Sequence, residues 1–350
     1  LGLPPTDIDI CSRLRPDEVT ALCGRAGLSS FDQGARYGTV AILLGDGEKV
    51  EHTTFRRDSY APGGAHRPAA VCFGEEPAAD AFRRDFSINA LYARLETGEV
   101  LDPTGGLDDL KRGRLRTTSA DADDILGSDA LRVLRLVRFA AEFGFEMEEG
   151  TWAAAKRHVK KLADISAERI REELDKILLA DARYGRGDVL TALERLDEMR
   201  AFDVFWPELA QGRGHGQRAD VHRYEVLEHS LHVCAHMPPV LPLRLAGLLH
   251  DVGKPKSKAE TGKYYMHDRM GEAMARDMLR RLKYDNATTA RVCALVGRHM
   301  YGIQGTIKEN TLRAAFGEWG RTGTEDMIAM READVRGCGY EPDYVAGRWR

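Results

Sequence analysis

The stretch "TDIDI", residues 6–10, places two carboxylates, Asp7 and Asp9, one residue apart between isoleucines. In an extended strand such side chains point the same way, about 6–7 Å apart at the usual rise. That spacing suits a clamp on divalent cations, which lie about 4 Å apart in two-metal sites. A solvated strand showing acids to water has the same pattern, so the pair needs company before it means chemistry. "FRRDFSINAL" (82–91) offers some, with Arg83 and Arg84 beside Asp85 and ahead of Asn89. A planar guanidinium fork suits phosphate oxygens, although a charged turn entering a strand reads the same. "DPTGGLDDL" (102–110) is a Gly-rich turn between acids, which permits close backbone approach to a ligand.

Two further constellations lie downstream. In "SDALRVLRLVRFAAEFGF" (128–145), Asp129, Arg132, Arg135 and Arg138 recur every three residues, and Leu131, Leu134, Val137 and Ala141 supply an apolar face. Neighbours in such a stripe lie one helical turn apart. They form either a solvated ion-pair face or, through Asp129 and Arg132, an acceptor and a donor fork aimed at a base edge. "LAGLLHDVGKP" (245–255) ends an apolar helix with His250 and Asp251. Adjacent polar groups at the tail of a buried helix are costly without partners, and a metal satisfies both, since neutral imidazole and carboxylate are common ligands. His229 upstream, and His267, His299 and Asp334 downstream, are further candidate ligands. Taken alone, each of these histidines reads as a surface or capping residue rather than a ligand.

These residues need elements to position them. Residues 1–118 read as mixed α/β, with β-rich runs "GTVAILL" (38–44), "KVEHTTF" (49–55) and "INALYARL" (88–95) between Gly/Pro-rich turns. From about 120 the spacing turns helical. A helix is expected over 128–145, with Ser128 as cap and Gly144 as stop, and another over 165–180, where Ser166 followed by Arg169 lacks a capping box. "AQGRGHGQRAD" (210–220) reads as a linker. The expected division is therefore a head at 1–118, a helical neck at 119–209 and a second helical body at 221–350.

Bulk composition excludes little. A chain of 350 residues, 43% apolar and 30% charged, is long enough for two or three globular domains. A net charge of −4 leaves a nucleic-acid partner to local basic stripes, for which "KRGRLR" (111–116) and "KRHVKK" (156–161) are candidates. No apolar run approaches the length of a membrane span and no signal peptide is visible. The six cysteines (11, 23, 72, 234, 293, 338) show no C-x-x-C pairing and read as reduced thiols of a cytoplasmic protein. The chain opens at Leu1 and reaches its first motif within six residues; a strand there needs neighbours, so a preceding N-terminal piece is expected.

The order of D-x-D, R-R-D-F-x-x-N-A, D-P-x-G-G-x-x-D-L and D-x-x-R-x-x-R resembles the bacterial tRNA nucleotidyltransferases and poly(A) polymerases, the class II branch of the polymerase-β-like nucleotidyltransferases. "HDVGKP" with its flanking histidines and aspartates resembles the HD superfamily of metal-dependent phosphohydrolases. The resemblance runs the length of the chain. It implies an α+β fold: a polymerase-β-like nucleotidyltransferase head followed by an all-helical neck and an HD-like helical body. It implies that Asp7 and Asp9 are catalytic and bind Mg²⁺, with Glu51 as a third carboxylate. Arg84, Asp85 and Asn89 would contact ribose and phosphate. Asp129 and Arg132 would read the base of CTP or ATP, with Arg135 and Arg138 in the same nucleotide-binding set. Glu168, with Arg169 and Arg171, would support the base-reading helix. His229, His250, Asp251, His267, His299 and Asp334 would hold a second divalent transition metal. The implied activity is template-independent addition of CMP and AMP to the 3′ end of tRNA, with no membrane partner. The alternatives are an HD phosphohydrolase, a CC-only, A-only or poly(A)-adding variant, or a non-catalytic RNA-binding module. Two departures stand out: the G-G-x-V-R-D segment usual before D-x-D has no counterpart in "LGLPPTDIDI", and Ser128 stands where Glu is usual.

Overall fold

Period-two alternation builds the head. The computed structural model describes residues 8–45, 47–59, 70–74, 76–301 and 309–340, the side chains of Thr311 and Leu312 aside. Asp7 lies outside the described residues. Strands β1 (Asp9–Ser12), β2 (Ser29–Asp32), β3 (Thr39–Leu43) and β4 (Lys49–Thr54) form one sheet in the order β1-β4-β3-β2. Strand β4 buries Val50, His52 and Thr54 and turns Glu51 and Thr53 to its other face. It runs parallel to β1 and antiparallel to β3. The helix Pro16–Arg25 covers the sheet with Val19 and Cys23, which pack against Val40, Leu14, Leu28 and Ile42. The chain forms two compact units, one of Leu1–Val133 with Phe145–Asp164, the other of Leu134–Gly144 with Ile165–Arg350.

Three local expectations are corrected. "INALYARL" forms no long strand: Ser87–Asn89 is a 3₁₀ turn, and only Tyr92–Ala93 is extended. Arg84 and Asp85 draw this segment into side-chain bonds that compete with a ladder. Ser128 does not open a helix but ends one, Ala122–Ser128, while the next is Leu131–Phe143. The entry to that helix is bonded by Asp129, whose Oδ1 accepts from the Leu131 amide at 3.0 Å, a carboxylate at the positive end of the helix. Gly144 stops it as expected, at φ 67°, a left-handed conformation that suits glycine. Finally, the glycine-punctuated stretch 210–220 is not free of tertiary bonds. The Leu227 amide donates to Gly212 O at 3.2 Å, and the Tyr264 hydroxyl donates to Gly216 O at 2.7 Å.

The second unit is helical. The helix Val226–His236 packs against Leu241–Leu249 and Glu309–Gly337, and His267–Arg281 packs against Asn286–Arg298. Trp206 is fully buried, its indole N–H donating to Met278 O at 3.2 Å. None of the described helices is long and apolar enough to cross a membrane.

Asp175, on the helix Ala167–Leu178, accepts from the Tyr284 hydroxyl at 2.6 Å. Burial pushes its carboxyl up to about 6, against the pull of that hydroxyl. The folded protein therefore holds this proton more tightly than the unfolded chain. The stabilisation is complete below the unfolded pKa near 3.8 and is lost as pH rises through about 6. Asp175→Asn keeps an acceptor for Tyr284 but removes the titration. Urea unfolding should show the variant level with wild type near pH 4 and more stable by about 1–3 kcal/mol at pH 7. A constant gap across that range would contradict the assignment.

Candidate active site and metal centre

In the head, Asp9 on β1 lies directly beside Glu51 on β4 in the parallel register. Asp9 is exposed and Glu51 half-buried. Glu51 Oε1 accepts from Lys49 Nζ at 2.8 Å and Gln33 Nε2 at 2.6 Å. The Lys49 bond outweighs burial and holds the Glu51 carboxyl below its ordinary range. Beneath them the two strands are tied by Ser12 Oγ and His52 Nε2 at 2.8 Å and by Thr54 Oγ1 donating to Leu14 O at 2.7 Å. Two hard oxygen donors side by side on adjacent strands fit a divalent cation such as Mg²⁺.

Behind this edge lies a buried acid that the motif reading missed. Asp80 is fully buried and accepts from Arg83 Nε at 2.8 Å, Arg84 Nε at 3.2 Å and the Tyr92 hydroxyl at 2.7 Å. Burial pushes its carboxyl up, but the two guanidiniums and the hydroxyl prevail and hold it down. Its spacing of three and four residues before Arg83 and Arg84 was the available signal. Arg84 also reaches Cys11 Sγ on β1 at 3.4 Å, so its guanidinium is fixed against the strand that carries Asp9, with about a quarter (27%) of its side chain still exposed. Asp85 is buried and accepts from the Phe86 amide at 2.8 Å and from Asn89 Nδ2 at 3.1 Å. Asp85 and Asn89 thus hold each other across the 3₁₀ turn.

The arginines of the helix Leu131–Phe143 divide by partner. Arg132 donates from Nη2 to Arg83 O at 2.8 Å and from Nη1 to Ile125 O at 3.0 Å and Ser128 Oγ at 3.1 Å. Arg138 is buried, lies over the Phe139 ring and pairs through Nε with Glu173 Oε2 at 2.8 Å. Arg135 stands over the same ring, 4.0 Å from Glu173 Oε1. The acid supporting this helix is therefore Glu173; Glu168 pairs instead with Lys283 at 3.3 Å. Arg138 is held inside rather than presented to a ligand, since a buried guanidinium keeps its charge only against such a partner.

The helical unit brings His229, His250, Asp251, His267, His299 and Asp334 together, all of them buried. Each of the four imidazoles aims Nδ1 at a backbone carbonyl: His229 at Gly337 (3.0 Å), His250 at Gly247 (2.8 Å), His267 at Tyr264 (2.8 Å) and His299 at Val296 (2.7 Å). A carbonyl only accepts, so every Nδ1 donates, which turns Nε2 into the cluster as metal-binding histidines require. The Nε2 atoms of His229 and His250 lie 3.3 Å apart, and those of His267 and His299 3.1 Å apart.

Asp251 stands between the pairs, with Oδ2 3.1 Å from His250 Nε2 and Oδ1 3.3 Å from His267 Nε2. Asp334 Oδ1 is 3.0 Å from His229 Nε2. His229, His250 and Asp251 form one group able to hold a metal, and Asp251, His267 and His299 another. The nitrogen–oxygen donor set fits a divalent transition metal. Burial, and then the neighbouring His250, hold His299 down to about 4, which keeps its imidazole neutral at pH 7. Burial alone would raise Asp251, but His250 and Lys254 bring it well below the carboxylate range. Lys254, missed from sequence, places Nζ 2.5 Å from Asp251 Oδ2. Gly253 has a steric cause: a Cβ there would lie 2.1 Å from His267 O and 2.6 Å from Gly271 N.

Residues 1–116 match the "Poly A polymerase head domain", 144–212 the "Probable RNA and SrmB- binding site of polymerase A" and 220–336 the "HD domain". A CCA-adding enzyme of Streptococcus uberis is 42% identical over 181 residues, 51% of this chain and 43% of that protein. An A-adding tRNA nucleotidyltransferase of Deinococcus radiodurans is 37% identical over 240 residues, 63% of this chain and 52% of that protein. The chain spans about half the length of such relatives. The fold matches the Bacillus stearothermophilus CCA-adding enzyme in complex with CTP at a TM-score of 0.65, with 24% identity, over 100% of this chain and 73% of that one. It also matches the Thermotoga maritima CCA-adding enzyme complexed with tRNA at 0.58, with 17% identity, over 96% and 73%. The chain thus carries regions similar to a poly(A) polymerase head, its RNA-binding region and an HD domain in that order, an arrangement whose fold it shares with CCA-adding enzymes.

Proposed function

We propose that this protein adds CMP and AMP to the 3′ end of tRNA without a nucleic-acid template, within a head at 1–118, a neck at 119–209 and an HD-like body at 221–350. The observation that carries this reading is the in-register pair of Asp9 and Glu51 on adjacent strands, with Arg84 pinned against the same strand through Cys11. In this reading Asp9, with Asp7 and Glu51, holds Mg²⁺. When bound, such a cation neutralises the triphosphate and lowers the barrier to attack by the RNA 3′-hydroxyl. Phosphoryl transfer asks for positioning and charge neutralisation rather than a covalent nucleophile. The open edge of Arg84 neutralises phosphate, and Asp85 and Asn89 shape the turn that meets ribose. Asp129 and Arg132 read the base edge of CTP or ATP as acceptor and donor fork, Arg132 exchanging its bonds to Arg83 O, Ile125 O and Ser128 Oγ for base acceptors. UTP or GTP would leave such groups unpaired at about 1–3 kcal/mol each. Arg138, locked by Glu173, stiffens the helix, and Arg135, about a third exposed, stays in the nucleotide-binding set. Free thiols at all six cysteines accord with the expected cytoplasmic location.

The test supplies the full-length protein with tRNA lacking its terminal CCA and one labelled nucleotide at a time. Incorporation of C then A, with U and G excluded, is the expected result. Incorporation of C alone or A alone identifies a CC- or A-adding variant, and long A tails a poly(A) polymerase. Tight tRNA binding with no incorporation would refute the reading in favour of a binding module. The six buried HD ligand residues support a second activity, phosphoester hydrolysis, checked on 2′,3′-cyclic phosphates with added Mn²⁺ or Ni²⁺.

A further inference from the structure

A second ligand group borders the histidine–aspartate cluster and uses residues that it does not. His222, His229 and Cys338 place one donor atom each within 4.8 Å of one another. Cys338 is fully buried and His222 half-buried, and Cys338 Sγ lies 3.5 Å from His222 Nδ1. With zinc–nitrogen bonds of about 2.0–2.1 Å and zinc–sulfur bonds of about 2.3 Å, a tetrahedral site separates sulfur and nitrogen by about 3.5 Å. The pair already stands at that edge length. The backbone holds it there: the Arg223 amide donates to Cys338 O at 2.9 Å, Val221 packs on Cys338, and the Tyr340 hydroxyl donates to Ala219 O at 2.9 Å. The thiol donates to Asp334 O at 3.3 Å, and Cys338 is a free cysteine, not part of a disulfide. Ligands 116 positions apart in sequence are thus brought to bonding distance by the junction of two helix ends.

We infer that His222, His229 and Cys338 form a soft-donor site for a thiophilic divalent cation, Zn²⁺ by class, distinct in chemistry from the nitrogen–oxygen groups around Asp251. A thiolate with two imidazoles is the donor set that zinc prefers over magnesium or manganese. The fourth position is left to water. Binding replaces the S–H bond of Cys338 by a sulfur–metal bond and releases the proton to solvent. Because His229 belongs to both groups, zinc in the thiolate site competes with metal in the group of His229, His250 and Asp251. The inference is independent of nucleotide addition by the head.

Co²⁺ serves as the probe, because a thiolate bound to it gives a near-ultraviolet charge-transfer band that oxygen and nitrogen ligands do not. Titrating the full-length protein with Co²⁺ should produce this band, and Zn²⁺ should abolish it. The band should be absent in Cys338→Ser, should need at least ten times more Co²⁺ in His222→Gln, and should persist in Asp251→Asn. If Cys338→Ser fails to fold, judged by circular dichroism, the His222→Gln titration carries the test. A wild-type protein without the band, a band that survives in folded Cys338→Ser or is unchanged in His222→Gln, or one lost in folded Asp251→Asn would overturn the inference.

Discussion

Asp9→Ala should reduce nucleotide incorporation by about 10³-fold or more while leaving the fold intact. Asp9 is an exposed residue of a sheet whose packing is carried by Val19, Cys23 and Val40. Substitutions at such surface positions usually change stability by less than about 0.5 kcal/mol. Removing a carboxylate that grips the cation, in contrast, removes charge stabilisation specific to the transition state, and a loss of about 4 kcal/mol is three powers of ten in rate. The measurement is single-turnover CMP incorporation at saturating CTP, with urea unfolding run in parallel. Glu51→Gln should be milder, since Glu51 is already shared with Lys49 and Gln33. An Asp9→Ala protein that extends tRNA within tenfold of wild type would remove Asp9 from the catalytic reading and the D-x-D motif with it.

The second large effect is expected at Asp251. Its two carboxylate oxygens face different histidine pairs, so Asp251→Asn removes a ligand from both groups at once, where loss of any one histidine weakens only its own. Calorimetric titration with Mn²⁺ should show affinity falling at least about 100-fold, more than the 10–100-fold cost of disturbing outer-shell partners alone. The metal-free protein should also lose about 3 kcal/mol, because Lys254, only 8% exposed, loses the anion that balances its charge. Unaltered Mn²⁺ binding would show that Asp251 serves Lys254 alone. In His299→Ala the group around His229 and His250 should survive, separating the two.

Much of the metal centre was legible because ligand chemistry restricts residue type. His250 and Asp251 stood out at the tail of an apolar helix, the resemblance to the HD superfamily added His229, His267, His299 and Asp334, and the structure gathers all six. Two strands of the head were legible for another reason: "GTVAILL" and "KVEHTTF" are β-rich runs between turn residues, and Thr39–Leu43 and Lys49–Thr54 lie within them. "INALYARL" was misread because its apolar content carries no information about the side-chain bonds of Arg84, Asp85 and Asn89.

What the sequence alone determined is thus the inventory: where helical spacing takes over from β-rich runs, which donors are available, and the order of motifs that resembles the family. Tertiary structure decided the pairings. Glu173 rather than Glu168 anchors Arg138, Asp80 takes Arg83 and Arg84, and Cys338 meets His222. Periodicity is a local property of a few turns of chain, whereas choosing among chemically identical carboxylates depends on which is desolvated beside the cation. That is fixed only when distant helices pack and water leaves between them.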